Sequence, residues 1–264
     1  MQQGDGNAPN VRAVWDRLAE VMDPELDEPI TEMGFVETVS VSETNQVEVS
    51  FRLPTFWCSP NFAFLMAQGI REEVGSLPWV QGIEVQLQDH MCADEMNEAV
   101  NSGRSFSEAF ALPPEFGDLA EVKEKFEGKA FQRRQESVLV GLQQKGFTPA
   151  QVAAMTLGQL DLVSFDDPVT ARQQGRYRAV LTARGLAKTA DDHAFPDLDG
   201  TRLSEETYPA RLEALRAVRI NMEFGGALCR GLKQSRYKEI VRLGGQPALC
   251  DSQADRVPPR AKPG

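Results

Sequence analysis

The chain has 264 residues, of which 41% are hydrophobic and 25% charged, enough apolar material for one or two folded domains. No apolar run approaches the roughly 20 residues that span a bilayer, and the first residues lack the basic and apolar segments of a secretory signal. Four widely spaced cysteines argue against a disulfide framework, so we expect a protein of the reducing cytoplasm with no membrane partner.

The net charge of −11 is divided unevenly along the chain. Residues 1–100 contain 18 acidic residues and four arginines, giving −14, whereas residues 101–264 carry +3. A step of this size indicates two units with different partners. The acidity of the first unit either keeps it soluble or attracts a basic partner. Nucleic acid is excluded as its partner, because phosphate binding needs the opposite charge.

The first hundred residues predict a compact arrangement of helices and strands. Apolar residues recur at helical spacing over 11–22, and Pro24 ends that helix. Alternating segments over 35–42 and 47–53 predict a hairpin, and a third strand is expected over 80–87. A helix running from Pro60 to about Val74 lies between them. The fold class is therefore α+β, with a small two-layer α-β-β-α-β domain over residues 1–104.

The remainder of the chain predicts a mostly helical half of unknown role, over residues 105–250. Helices are expected near 118–145, 149–162, 168–187 and 204–222, the second opened by a capping box at Thr148. Residues 1–9 and the proline-rich tail over 251–264 are expected to be disordered.

Cys58 is the residue with the clearest chemical placement. It lies in Pro54–Pro60 (PTFWCSP), on the predicted turn between a strand and a helix. The free N–H groups and dipole of a helix N-terminus lower the pKa of a thiol, and thiolates bind soft metals. The alternative is a buried small hydrophobic residue without a chemical role.

A candidate metal site can be assembled around this thiol. His90 and Cys92 follow the third strand, whose end is expected at the same end of the sheet as the Cys58 turn. With a carboxylate from Asp23 or Glu25 they would form a mixed sulfur, nitrogen and oxygen set suited to iron or zinc. The alternative is that Asp23 and Glu25 only terminate the first helix, since an aspartate before proline favours a turn.

Independent catalysis is not indicated by the sequence. The Cys58–His90 pair is the one nucleophile and base combination available in the first hundred residues, and no serine elbow, phosphate-binding loop or dinucleotide fingerprint is present. Cys229 and Cys250 are isolated and are interpreted as structural or incidental, and His193 as a solvated loop residue.

Two segments of the first hundred residues resemble the PaaD/SufT-type family of iron–sulfur cluster assembly proteins. The first is Asp23–Val36, with its Asp-Pro-Glu start at Pro24 and the strand entry at Gly34, and the second runs from Thr55 to Cys58. A similar polar segment follows the third strand, over 89–96. The resemblance covers about 100 residues and implies the α-β-β-α-β order.

The resemblance implies an adaptor that delivers a metal–sulfur centre without turnover of its own. Its cargo would be iron or an iron–sulfur cluster, held transiently, with zinc as another metal to consider. Its partners would be the iron–sulfur assembly machinery or a client metalloenzyme such as an oxygenase, and a homodimer is a further option. The alternative function is an auxiliary or effector subunit that binds an oxygenase without handling metal.

Overall fold

The computed structural model describes residues 8–111, 119–236, 238–243 and 246–251. The backbone divides into two compact units. One comprises residues up to 123 together with those from 225 onward, and the other comprises residues 124–224. The first unit thus includes residues beyond the predicted boundary at 104. Within the described ranges, no helix has the length and apolar character needed to cross a membrane.

The first unit contains the predicted α/β domain. It begins with α1 (Ala8–Leu18) and a short ladder of β1 (Met22–Asp23) and β2 (Glu28–Pro29). The hairpin of β3 (Val36–Val41) and β4 (Gln46–Arg52) follows, and then α2 (Pro60–Gly75) and β5 (Gly82–Gln88). The predicted α-β-β-α-β order is confirmed. The ladder of β1 and β2 was not predicted, because two-residue strands have no alternation to detect.

The sheet has the strand order β3-β4-β5, and its topology positions the candidate site. Strands β3 and β4 are antiparallel, whereas β4 and β5 are parallel and joined through α2. Arg52, the last residue of β4, pairs with Gln88, the last residue of β5. The segments that follow these two strands therefore leave the sheet at the same edge.

One hydrophobic core lies between the sheet and the helices of the first unit. It buries Val14 and Leu18 of α1, Phe51 of β4 and Ile70 of α2, among others. Two further helices, α3 (Ala93–Ser102) and α4 (Phe106–Ala109), add apolar side chains to it. This core is what holds the turn after β4 and the loop after β5 at fixed positions.

The rest of the chain is mostly helical, as predicted. Its helices are α5 (Ala120–Gln144), α6 (Pro149–Ala153), α7 (Leu157–Asp161), α8 (Pro168–Ala183) and α9 (Tyr208–Arg236). The capping box at Thr148 is confirmed. A second capping box at Thr156, with Gln159 at its third position, divides the predicted helix over 149–162 into α6 and α7.

Two features of the C-terminal region differ from expectation. Helix α9 continues to Arg236, well past the predicted end near 222, and from Gly225 onward it belongs to the first unit. A hairpin of β6 (Lys238–Leu243) and β7 (Gln246–Asp251) follows where a helical region was predicted. The predicted disorder over 1–9 and 251–264 is wrong at residues 8–9, which begin α1, and at Asp251, which ends β7. The remaining positions of both segments, 1–7 and 252–264, lie outside the described residues.

Candidate functional site

The site lies where the turn after β4 meets the loop after β5. The backbone N–H of Met91 donates to the carbonyl oxygen of Phe56 at 3.0 Å, which ties the two segments together. This contact follows from the parallel pairing of β4 and β5, whose ends share one edge of the sheet. The predicted proximity of the Cys58 turn and the 90–92 loop is thus present in the structure.

His90 is buried and hydrogen-bonded through both ring nitrogens. Its Nε2 lies 2.8 Å from the carbonyl oxygen of Cys58, and its Nδ1 lies 3.2 Å from the backbone nitrogen of Cys92. Since the Cys92 N–H can only donate, Nδ1 is the acceptor, and Nε2 carries the proton that is donated to Cys58. The imidazole therefore clamps two backbone segments, and it could ligate a metal only if one of these bonds were broken.

The thiol of Cys58 is half-buried just ahead of α2. Pro60 begins the helix, as predicted, and Ser59 occupies the N-cap position, although its side chain makes no capping hydrogen bond. The Sγ of Cys58 lies 3.3 Å from the hydroxyl of Thr55. When the sulfur is a thiolate, the hydroxyl must be the donor of that bond. The predicted strand–turn–helix setting of the thiol is therefore present, with Thr55 as its hydrogen-bonding neighbour.

Asp23 is buried, and its side chain stabilises the turn formed by the residues that follow it. Its Oδ1 accepts hydrogen bonds from the backbone N–H groups of Glu25, at 2.9 Å, and Leu26, at 3.0 Å. Burial raises the pKa of Asp23 to about 6, even though these two bonds act to lower it. Glu25 itself is exposed, and Pro24 between them is half-buried. Asp23 thus fulfils the turn-forming alternative of the sequence analysis.

Cys92 occupies the N-cap position of α3 but makes no capping hydrogen bond through its side chain. Burial and, to a lesser extent, the charge of Glu95 raise the pKa of its thiol above the ordinary value. Its backbone N–H holds His90, as described above. In the structure, Cys92 therefore contributes to the site through its backbone N–H, which is hydrogen-bonded to His90.

In the sequence analysis, Cys229 of α9 is interpreted as structural or incidental. Its half-buried side chain packs against the core of the first unit. Burial raises the pKa of its thiol to about 11, and the electrostatic influence of Asp23, Cys58 and Glu25 adds to that effect. At neutral pH this side chain is therefore a protonated thiol within the packing of α9 against the first unit.

Basic residues of α9 fasten its last turns to the first unit. Arg230 donates to the carboxylate of Glu28, and Lys233 donates to the carbonyl oxygens of Gly34 and, at 3.0 Å, Arg52. Lys233 also pairs with the buried Glu37 at 3.4 Å. Gly34 has a left-handed backbone with φ of 69°, which favours glycine at this position and directs its carbonyl to Lys233.

Of the predicted ligands, the structure brings His90 and Cys92 together with the Cys58 turn, through backbone contacts. Within the described ranges, no group of three or more histidine, cysteine, aspartate or glutamate side chains is arranged to hold a metal ion. Both ring nitrogens of His90 are hydrogen-bonded to backbone atoms, whereas Cys58 is a free cysteine. A cysteine thiolate can bind iron or zinc when further ligands come from elsewhere.

Comparisons with known proteins relate the N-terminal part of the chain to iron–sulfur cluster assembly proteins. The family described as iron–sulfur cluster assembly protein matches residues 12–87. An iron–sulfur cluster carrier protein of Mycobacterium leprae is 31% identical over 88 residues, which are 33% of this chain and 22% of that protein.

A second set of relatives is of a different kind. One subunit of the aspartyl/glutamyl-tRNA(Asn/Gln) amidotransferases of Mycobacterium tuberculosis and Mycobacterium bovis is 28% identical over 135 residues. That alignment covers 48% of this chain and 26% of the amidotransferase subunit. The chain thus spans about a quarter of the length of the curated relatives it matches.

Proposed function

Because residues 12–87 match the iron–sulfur cluster assembly protein family, we propose that this protein is a carrier or maturation factor for a metal–sulfur centre. It receives iron or an iron–sulfur cluster on Cys58 and hands it to a client metalloenzyme, without turnover of its own. The observation that carries the proposal is the placement of Cys58: a half-buried thiol ahead of α2, on a turn whose backbone His90 holds.

The surroundings of Cys58 suit reversible binding of cargo. The Thr55 hydroxyl lies 3.3 Å from the sulfur and can donate a hydrogen bond to it when the sulfur binds cargo as a thiolate. When iron binds, the sulfur gives up its proton and forms the metal–sulfur bond. A site with few protein ligands leaves coordination positions open to a second protein, which is what transfer requires. Zinc could occupy the same thiolate and is the metal to test against iron.

The client is proposed to dock beside the thiol. Trp57 is 74% exposed and Met91 is 40% exposed, and the two flank Cys58 on the tied segments described above. Exposed aromatic and methionine side chains are common in protein interfaces. The acidic first hundred residues favour a client with a basic surface. We propose cargo handling for residues 1–104 and client choice for the helical region over 105–250, with an oxygenase as the expected client class.

Transfer to an apo acceptor tests this function. The protein is loaded anaerobically with ferrous iron and sulfide, desalted, and mixed with an apo ferredoxin, whose cluster absorbance is followed over time. We expect faster cluster formation than from the same amounts of free iron and sulfide, and loss of that advantage in Cys58→Ser. Transfer no faster than from free iron and sulfide would refute the carrier function.

An auxiliary subunit that binds an oxygenase without metal is the second candidate. The exposed apolar side chains of Ile220 and Phe224, 52% and 72% exposed, favour protein binding by α9 independently of Cys58. This candidate predicts that Cys58→Ser retains full support of an oxygenase in cells. The carrier function predicts that the same variant accumulates an oxygenase without its metal centre.

A further inference from the structure

The last turn of α9 contacts the ends of both strands that lead into the candidate site. Lys233 donates to the carbonyl oxygen of Arg52, the last residue of β4, at 3.0 Å. Three positions later, Nη2 of Arg236 lies 2.8 Å from Oδ2 of Asp89, the residue that follows β5. Because β4 and β5 end at the same edge of the sheet, neighbouring side chains of one helical turn can reach both ends.

Asp89 begins the loop that holds the thiol-bearing turn. The next residue, His90, donates from Nε2 to the carbonyl oxygen of Cys58 at 2.8 Å, and the backbone N–H of Met91 donates to Phe56 at 3.0 Å. Asp89 itself has a left-handed backbone with φ of 52°, a conformation that aspartate and asparagine adopt more readily than most residues. An ion pair to its side chain therefore restrains the residue at which the chain turns from β5 into this loop.

We propose that Arg236 is a positioning residue for the Cys58 turn and acts through Asp89 and His90. This role rests on the proposed function of Cys58, and it adds a residue from outside the family match over 12–87. The ion pair favours the closed form of the loop, in which the imidazole holds the Cys58 carbonyl. Without the pair, the loop opens locally more often, and the thiol loses the fixed setting in which it takes up and releases cargo.

The contact between Arg236 and Asp89 differs from the buried anchor beside it. Both of its side chains are partly exposed, whereas the pair of Lys233 and Glu37 is buried. A partly exposed ion pair contributes little to global stability and is weakened by salt. Loss of Arg236 should therefore raise the reactivity of the Cys58 thiol while Lys233 keeps the helix in place.

The test follows alkylation of Cys58 by N-ethylmaleimide, an uncharged reagent, in the full-length protein without cargo. Mass spectrometry of the Cys58 peptide gives the rate. We expect Arg236→Met and Asp89→Asn to react about two- to fivefold faster than wild type at low salt, the range by which an exposed ion pair shifts an equilibrium. Asparagine is used at position 89 because it tolerates the left-handed backbone. Arg236→Lys retains the charge and should react nearly as slowly as wild type.

Arg104→Met is the matched control for the loss of an exposed arginine. Its ion pair with Glu98 is also 2.8 Å long, but it joins α3 to the residues just after that helix. This control should react at the wild-type rate. All of these variants should melt close to wild type, and a faster rate in Arg236→Met that came with a large drop in melting temperature would overturn the positioning role.

Combination with His90→Ala tests the route of the effect. If Arg236 acts through His90, then Arg236→Met should add nothing to the faster alkylation of His90→Ala, because the two changes are coupled. The same increase in both backgrounds would overturn this route. Rising salt should speed the alkylation of wild type and leave Arg236→Met unchanged, since the screened pair is already absent from the variant.

The outcomes separate the positioning role from the carrier function, because alkylation needs no cargo. If Arg236→Met reacts like wild type at low salt while Cys58→Ser fails to transfer clusters, the positioning role is overturned and the carrier function stands. If Arg236→Met reacts faster as expected while Cys58→Ser still transfers clusters, Arg236 positions the turn and the carrier function is refuted.

Discussion

The imidazole of His90 and the backbone of Cys58 are joined by a hydrogen bond of 2.8 Å between Nε2 and the Cys58 carbonyl oxygen. This bond links the loop after β5 to the turn after β4, so the conformation of the thiol-bearing turn depends on a side chain 32 positions away. In the sequence analysis His90 is grouped with Cys58 as a metal ligand, whereas in the structure the His90 ring is hydrogen-bonded to the Cys58 backbone. The reactivity of the Cys58 thiol should therefore depend on this hydrogen bond.

Replacement of His90 by alanine should loosen the Cys58 turn. The Cys58 carbonyl and the Cys92 N–H lose their partners, which costs about 1–3 kcal/mol of unfolding free energy for groups that remain desolvated. We expect a lower melting temperature and faster modification of Cys58 by a thiol reagent, measured by mass spectrometry of the labelled peptide. His193→Ala, at the other histidine, should not change that labelling rate. A labelling rate in His90→Ala equal to wild type would show that the clamp does not control the turn.

Asp23→Asn should stabilise the protein at neutral pH. The native pKa of about 6 exceeds the ordinary value of 3.8, so the folded state binds more protons between these values than the unfolded chain. The stability contributed by protonated Asp23 is therefore complete below about pH 4 and is lost as pH rises through 6. Asparagine retains the Oδ1 acceptor for Glu25 and Leu26 without the buried charge.

The difference between the two proteins should consequently depend on pH. Above pH 6, Asp23→Asn should gain up to about 3 kcal/mol over wild type, because one pKa unit corresponds to about 1.4 kcal/mol. Near pH 4 the two should be equally stable. Urea unfolding at pH 4, 5.5 and 7.5 measures this difference. A gain that is the same at all three values would mean that the pKa of Asp23 is not the cause.

Lys233→Met should destabilise the first unit strongly. The side chains of Lys233 and Glu37 are 3% and 5% exposed and lie 3.4 Å apart, and methionine would remove the charge that faces Glu37. Breaking a buried pair by removal of one partner costs about 3–5 kcal/mol, and we expect the lower end of this range because Arg52, 3.9 Å from Glu37, remains as a second partner. Arg236→Met is the matched control, since its pair with Asp89 has side chains that are 29% and 40% exposed and should be worth less than about 1 kcal/mol.

The double variant Lys233→Met with Glu37→Gln decides whether charge is responsible. Glutamine removes the charge left behind on the partner, so the double variant should recover a large part of the stability lost in the single variant. Urea denaturation of the single, double and control variants provides the comparison. If the double variant recovers no stability, the stability lost in Lys233→Met is due to the hydrogen bonds from Lys233 to Gly34 and Arg52.

Local patterns predicted most of the first unit, and long-range contacts account for what they missed. Alternation over 35–42 and 47–53 located β3 and β4, and Pro60 located the start of α2. These signals are local because each face of a strand or helix is either buried or exposed along its own length. The helix predicted to end near 222 instead continues as α9 through the adjacent Gly225 and Gly226, although glycine is a poor helix former. Packing of Gly225 against Leu26 outweighs that propensity.

The candidate site, like the fold, was predictable only where its residues are close together in the sequence. Thr55 and Cys58 lie three residues apart, and their contact belongs to one turn. The role of His90, in contrast, depends on which backbone atoms its two nitrogens meet in the folded chain. Composition and spacing carry no information about these two contacts.

Metal and sulfide content after anaerobic loading tests the central claim, that Cys58 carries the cargo. Wild type, Cys58→Ser and Ser59→Ala are treated with ferrous iron and sulfide, desalted, and assayed for iron and acid-labile sulfide per chain. Ser59 is a suitable control because its side chain makes no capping hydrogen bond to α2. The account predicts bound iron and sulfide in wild type and Ser59→Ala and near-complete loss of both in Cys58→Ser, with circular dichroism unchanged. Equal iron and sulfide in wild type and Cys58→Ser would contradict it.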